Sequence, residues 1–124
     1  MKIRINGNSI RLRLSRPEVE AFLEYDSISD ILEIPGEPLV YNLEKCGEDK
    51  MNVSRLAGSI RVGLPTKMFE EWKADDCVGF TEEYEVGEDK YITITVEKDF
   101  QCLHRDGSQE DKSILYPNPE ESEL

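Results

Sequence analysis

The sequence predicts a mainly β protein with two short helices, built from two copies of one strand-strand-helix-strand-strand unit that share a single barrel-like domain. Three observations predict it. Residues 9–14, Ser-Ile-Arg-Leu-Arg-Leu, recur as Ser-Ile-Arg-Val-Gly-Leu at 59–64, and in the same register Val19, Phe22 and Asp26 answer to Phe69, Trp72 and Asp76. Apolar residues alternate with polar ones at period two in several short runs, the spacing of a half-buried strand. At 124 residues the chain supports one shared core more readily than two independent ones. Two copies are also too few for a solenoid, which leaves a pair of halves about a pseudo-two-fold axis.

Each element follows from local chemistry. Lys2-Ile3-Arg4-Ile5 and Ser9-Ile10-Arg11-Leu12-Arg13-Leu14 flank Asn6-Gly7-Asn8, and an Asn-Gly pair between alternating strands is a hairpin signal. Ile3, Ile5, Ile10, Leu12 and Leu14 then face the core, and Lys2, Arg4, Arg11 and Arg13 share the opposite face. Ser15 and Glu18 have the spacing of a capping box, with Pro17 tolerated in the first turn, so a helix runs to about Tyr25 and buries Val19, Phe22 and Leu23. Strands follow near Asp30–Ile34 and Leu39–Glu44, separated by Pro35-Gly36-Glu37-Pro38. After a linker at 47–50, the second copy reads as strands at Asn52–Leu56 and Ser59–Leu64, a helix capped by Thr66 and running to about Trp72, and strands at Cys77–Tyr84 and Tyr91–Lys98. The domain spans 1–105, with repeat one at 1–46 and repeat two at 51–98. An acidic, partly disordered tail is expected over 106–124, from its excess of Glu and Asp.

Charge is distributed unevenly. The net charge is −12, yet Lys2, Arg4, Arg11, Arg13 and Arg16 all precede the first acid, Glu18. These five cations are the candidate interaction face. The negative background disfavours a polyanion, so nucleic acid is the weaker expectation and an unknown protein partner the stronger. The exposed cations are expected opposite acids such as Glu33 or Glu44, or those of the tail. The first residues do not form an apolar leader, and no run is long enough to span a bilayer. Cys46, Cys77 and Cys102 are an odd number at irregular spacing, as in a reducing compartment, so the protein is expected to be cytoplasmic, as a monomer or weak homodimer.

No catalytic, cofactor or metal site is expected. Cys102 and His104 could both point to one side of an extended segment, but a zinc site needs further ligands and neither Cys46 nor Cys77 has the spacing to provide them. Phe100, Cys102, Leu103 and His104 are therefore a candidate docking segment, with Cys102 read as a small apolar residue. Glu70-Glu71 and Glu82-Glu83 are solvated faces, and dinucleotide, P-loop, nucleophile-elbow and metalloprotease motifs are missing.

A helix inserted after a Gly-turned hairpin, with Gly58-Ser59-Ile60-Arg61-Val62-Gly63-Leu64-Pro65 followed by Phe69, Trp72 and Asp76-Cys77-Val78, resembles the AbrB/MraZ-type swapped-hairpin barrel over roughly residues 1–98. That resemblance implies two units that exchange hairpins to bury a joint core. The chain as a whole also resembles an uncharacterised family of small bacterial proteins, through Met1-Lys2-Ile3-Arg4-Ile5, Gly7-Asn8-Ser9-Ile10-Arg11-Leu12-Arg13-Leu14, the stretch from Val96 to Leu103, and Tyr116-Pro117-Asn118-Pro119. Two function classes result: a non-enzymatic interaction module, and, as the alternative implied by the barrel resemblance, a nucleic-acid-binding transcriptional regulator.

Overall fold

Hairpin turns start both halves. In the computed structural model, which describes residues 1–99, Asn6 and Ser9 exchange backbone hydrogen bonds of 3.1 and 3.2 Å around Gly7 and Asn8. Gly7 has φ +59°, so the glycine stands at the first central position of a type II′-like turn, followed by Asn8 rather than preceded by its turn partner. The turn joins β1 (Lys2–Ile5) to β2 (Ser9–Leu14). The second hairpin, β5 (Asn52–Leu56) and β6 (Ser59–Pro65), turns through Ala57 at φ +49° and Gly58 at +83°, a type I′-like pair.

Between these hairpins lie α1 (Arg16–Tyr25), β3 (Ser27–Leu32) and β4 (Leu39–Cys46), and after them α2 (Thr66–Glu71), β7 (Gly79–Gly87) and β8 (Lys90–Lys98). The capping box at α1 forms as the sequence dictates: Ser15 Oγ accepts from the Glu18 N–H, and the Glu18 carboxylate accepts from the Ser15 N–H at 2.8 Å. Asp26, at φ +69°, closes the helix by donating its N–H to the Phe22 carbonyl. At α2 the expected Thr66 cap does not form. β6 stays paired with β4 through Pro65, so the chain enters the helix straight from the strand, and the Thr66 hydroxyl donates to the Cys46 carbonyl at 3.1 Å instead.

The strands form two four-stranded sheets, ordered β1-β2-β8-β7 and β3-β4-β6-β5. Each N-terminal hairpin therefore pairs in parallel with a strand from the other half, β2 with β8 and β4 with β6. Exchanging β1–β4 for β5–β8 converts the first order into the second. Register matches as well: Leu14 lies opposite Lys98, as Leu64 lies opposite Lys45. The Lys45 N–H donates to the Asp26 carbonyl and the Lys98 N–H to the Val78 carbonyl, each at 2.9 Å. Asp26 thus corresponds to Val78 and not to Asp76, because the turn after α2 is longer than the one after α1. The same turn delays β7: Cys77 still donates to the Ala74 carbonyl at 3.1 Å, so pairing starts at Gly79 rather than at Cys77. β3, by contrast, begins directly after Asp26 and ends at Leu32, short of the expected Ile34.

The expected barrel closure is not made by strand pairing, since the two sheets remain separate. Side chains bridge them. The Met1 amino group is held by Glu18 and by Asp30 of β3, the latter at 3.1 Å, and Tyr41 of β4 donates to the Met1 carbonyl at 3.1 Å. Burial and the nearby Asp30 and Glu18 carboxylates raise the Tyr41 hydroxyl above its ordinary pKa. At the matching place before β5, the Met51 N–H donates to Glu82 of β7 at 2.7 Å.

Both sheets and both helices contribute to one apolar core. Ile10, Leu12, Leu14, Leu43, Val62, Leu64, Ile94 and Val96 fill it from the strands, with Met1 and Met51 at the start of each half. Phe22, Phe69 and Trp72 meet edge to face, with ring centroids 5.2 Å apart for the two phenylalanines and 5.9 Å for Phe22 and Trp72. Phe22 and Trp72 are completely buried, and the indole N–H is satisfied by the Val78 carbonyl at 3.1 Å. Three of the expected core residues depart from the pattern: Ile3 and Leu23 are only partly buried, and Ile5 is 61% exposed. Ile5 occupies the last rung before the turn, where no opposing side chain covers it fully.

Candidate functional site

Antiparallel register places Lys2 opposite Arg13 and Arg4 opposite Arg11, so four cations form a block on the outward face of β1 and β2. The inward face of the same hairpin carries Ile3, Ile10 and Leu12 against the core. Arg16 stands apart from the block, exposed in the first turn of α1.

Of the acids expected opposite this face, Glu33 and Glu44 do not meet it, and those of the tail lie outside the described residues. Glu44 pairs with Arg61 at 3.3 Å, and Glu33 lies beyond the end of β3. β8 supplies the counter-charge because it is hydrogen-bonded to β2 with Glu97 directly opposite Arg13. The Arg13 guanidinium reaches Glu97 at 2.8 Å, Arg11 approaches the same carboxylate at 3.7 Å, and Lys2 pairs with Asp99 at 3.1 Å. Arg4 and Arg13 make further contacts within the molecule. Arg11 is the most loosely engaged of the arginines around Glu97: it is 42% exposed and sits outside hydrogen-bond length.

Further along the outward face the residues change character. Thr81 and Thr95 share a hydroxyl hydrogen bond at 3.1 Å across β7 and β8, and Glu83 and Glu85 lie exposed on β7 at the far edge. The face thus runs from basic to neutral to acidic across one sheet. Glu97 could have been found from sequence through the matching Leu43-Glu44-Lys45 and Val96-Glu97-Lys98 stretches. Its placement beside Arg13 depends on the parallel β2–β8 pairing, which no local pattern encodes.

The candidate docking segment, Phe100, Cys102, Leu103 and His104, lies outside the described residues, as does the tail at 106–124. Cys46 and Cys77 are free thiols. Among the described residues no group of three or more His, Cys, Asp or Glu side chains is placed to hold a metal, and no helix is long and apolar enough to cross a membrane.

Fold and face together define a mainly β protein whose two sheets each combine strands from both halves of the chain and whose first hairpin carries a basic outer side. A family of unknown function, DUF7009, matches residues 1–120, and the chain belongs to it. No curated protein and no solved structure matches the chain.

Proposed function

We propose that the protein is a non-enzymatic, cytoplasmic interaction module that docks an acidic segment of a protein partner on the outward face of β1 and β2. The observation that carries this reading is the gathering of Lys2, Arg4, Arg11 and Arg13 on two adjacent strands of a chain whose net charge is −12. Complementary charge of this kind steers encounter and sets register. Arg11 is the group best placed to accept a partner carboxylate, because its contact with Glu97 is long and its guanidinium half exposed. The free thiols at Cys46 and Cys77 support a reducing compartment.

A second reading is a nucleic-acid-binding regulator on an AbrB/MraZ-like duplicated barrel. It is favoured by the strand orders, in which each half lends a hairpin to the sheet of the other. The overall negative field weighs against it. One experiment separates the two. The full chain and its Arg11→Glu, Arg13→Glu variant are titrated with a glutamate-rich model peptide and with random duplex DNA across a salt series. Peptide binding that weakens with salt and is lost in the variant, with DNA unretarded, supports the protein-docking reading. DNA retardation lost in the same variant supports the regulator, and unchanged binding in the variant removes this face from both.

A further inference from the structure

Beside the turn of the β1–β2 hairpin, five aliphatic side chains, Ile5, Ile10, Val53, Ile60 and Ile92, line an open crevice of about 270 Å³. They come from both sheets: Ile5, Ile10 and Ile92 from one, Val53 and Ile60 from the other. Its polar lining is almost entirely committed. Asn8 donates to the Tyr91 carbonyl at 2.7 Å, Ser9 to the Asn6 carbonyl at 2.7 Å, and Ser54 accepts from Arg61 at 3.3 Å.

Arg55 is the exception. It lies opposite Ile60 in the β5–β6 register, as Ile5 lies opposite Ile10 in the other hairpin, and so occupies a position in the inward, apolar row. Strand alternation would place an aliphatic residue there, and the first hairpin does so. The Arg55 side chain makes no hydrogen bond or ion pair with any described residue, although it lines the crevice. The end of this row is open to solvent in both hairpins, with Arg55 exposed and Ile5 61% exposed, so the charge is tolerated there and stands beside the aliphatic lining as its cationic group.

We propose that this crevice binds a short aliphatic carboxylate, with its hydrocarbon end among Ile5, Ile10, Ile60 and Ile92 and its carboxylate on the Arg55 guanidinium. The planar fork of arginine suits a carboxylate in a bidentate pair, and the cavity is at the small end of ligand sites, which selects a short chain. The site is independent of the basic face, which lies on the other side of the β1–β2 hairpin.

The test uses the full chain with isoleucine-methyl NMR and three probes of equal length: hexanoate, hexanamide and hexylammonium. Hexanoate should give saturable shifts confined to the crevice isoleucines. Arg55→Gln should weaken hexanoate about tenfold or more, the loss of a charge-assisted hydrogen bond, and leave hexanamide unchanged. Arg55→Glu should reverse the preference toward hexylammonium. Arg55 is exposed, so these variants are expected to keep the fold, which the remaining methyl spectrum checks. The proposal is overturned if hexanoate gives no saturable shift, if shifts spread over methyls elsewhere, if hexanamide binds as tightly as hexanoate, or if Arg55→Gln leaves the affinity unaltered.

Discussion

In the β1–β2 hairpin the outward residues are Lys2, Arg4, Arg11 and Arg13; at the matching positions the β5–β6 hairpin carries Asn52, Ser54, Arg61 and Gly63. The inward residues, by contrast, are conservative pairs: Ile3 and Val53, Ile10 and Ile60, Leu12 and Val62, Leu14 and Leu64. Burial in the shared core constrains volume and polarity on the inner face, whereas the outer face is constrained only locally, as at the buried Gly63. The difference teaches which surface of each hairpin is free to vary. It also isolates Arg55 as the one inward-row position, matching Ile5, where the two hairpins differ in kind.

The largest effect should come from the shared core. Phe22 and Trp72 hold corresponding, fully buried places in the two halves and touch each other. Truncating either to Ala should cost about 3–5 kcal/mol in urea denaturation. Comparable losses at both sites are expected of a single cooperative core. A large loss at one and a small loss at the other would mean that one half carries the core and the other leans on it.

A smaller effect should separate the outer faces. A Cβ at Gly63 would stand 2.8 Å from the Asn52 side-chain oxygen and 3.1 Å from the Cys46 sulfur, so Gly63→Ala should destabilise by about 1–3 kcal/mol. At the corresponding Arg13, substitution by Ala should cost about 1 kcal/mol or less, because Arg11 remains beside Glu97. Equal costs would show that the second outer face is no more tightly packed than the first.

The smallest effect concerns the turns. Gly7 and Ala57 hold the same place and both have positive φ, +59° and +49°. Ala57→Gly should therefore raise stability by about 1 kcal/mol, read as a higher denaturation midpoint. A fall instead would mean that the Ala57 methyl group makes a contribution larger than its backbone strain.

Much of this molecule is legible in the chain, for local reasons. Ser15 and Glu18 are near neighbours that fix where α1 begins, and the alternation through Ser9–Leu14 fixes which side of β2 is buried. The recurrence at 59–64 announces the second hairpin. The candidate face was legible to the same depth: alternation alone places Lys2, Arg4, Arg11 and Arg13 together. The acid beside Arg13 was not, because Glu97 reaches it through a parallel pairing between strands more than eighty residues apart.

Local sequence thus carries the content of each unit: its strands, its helices, its turns and the polarity of each strand face, all set by interactions within a few residues. The tertiary structure decided the rest. Which hairpin joins which sheet, that Asp26 corresponds to Val78, that Thr66 turns toward Cys46 instead of capping α2, and that Arg55 reaches the rim of an isoleucine-lined crevice all depend on contacts between distant segments. Such contacts are selected by the joint burial of both halves, a condition that no short stretch of sequence carries.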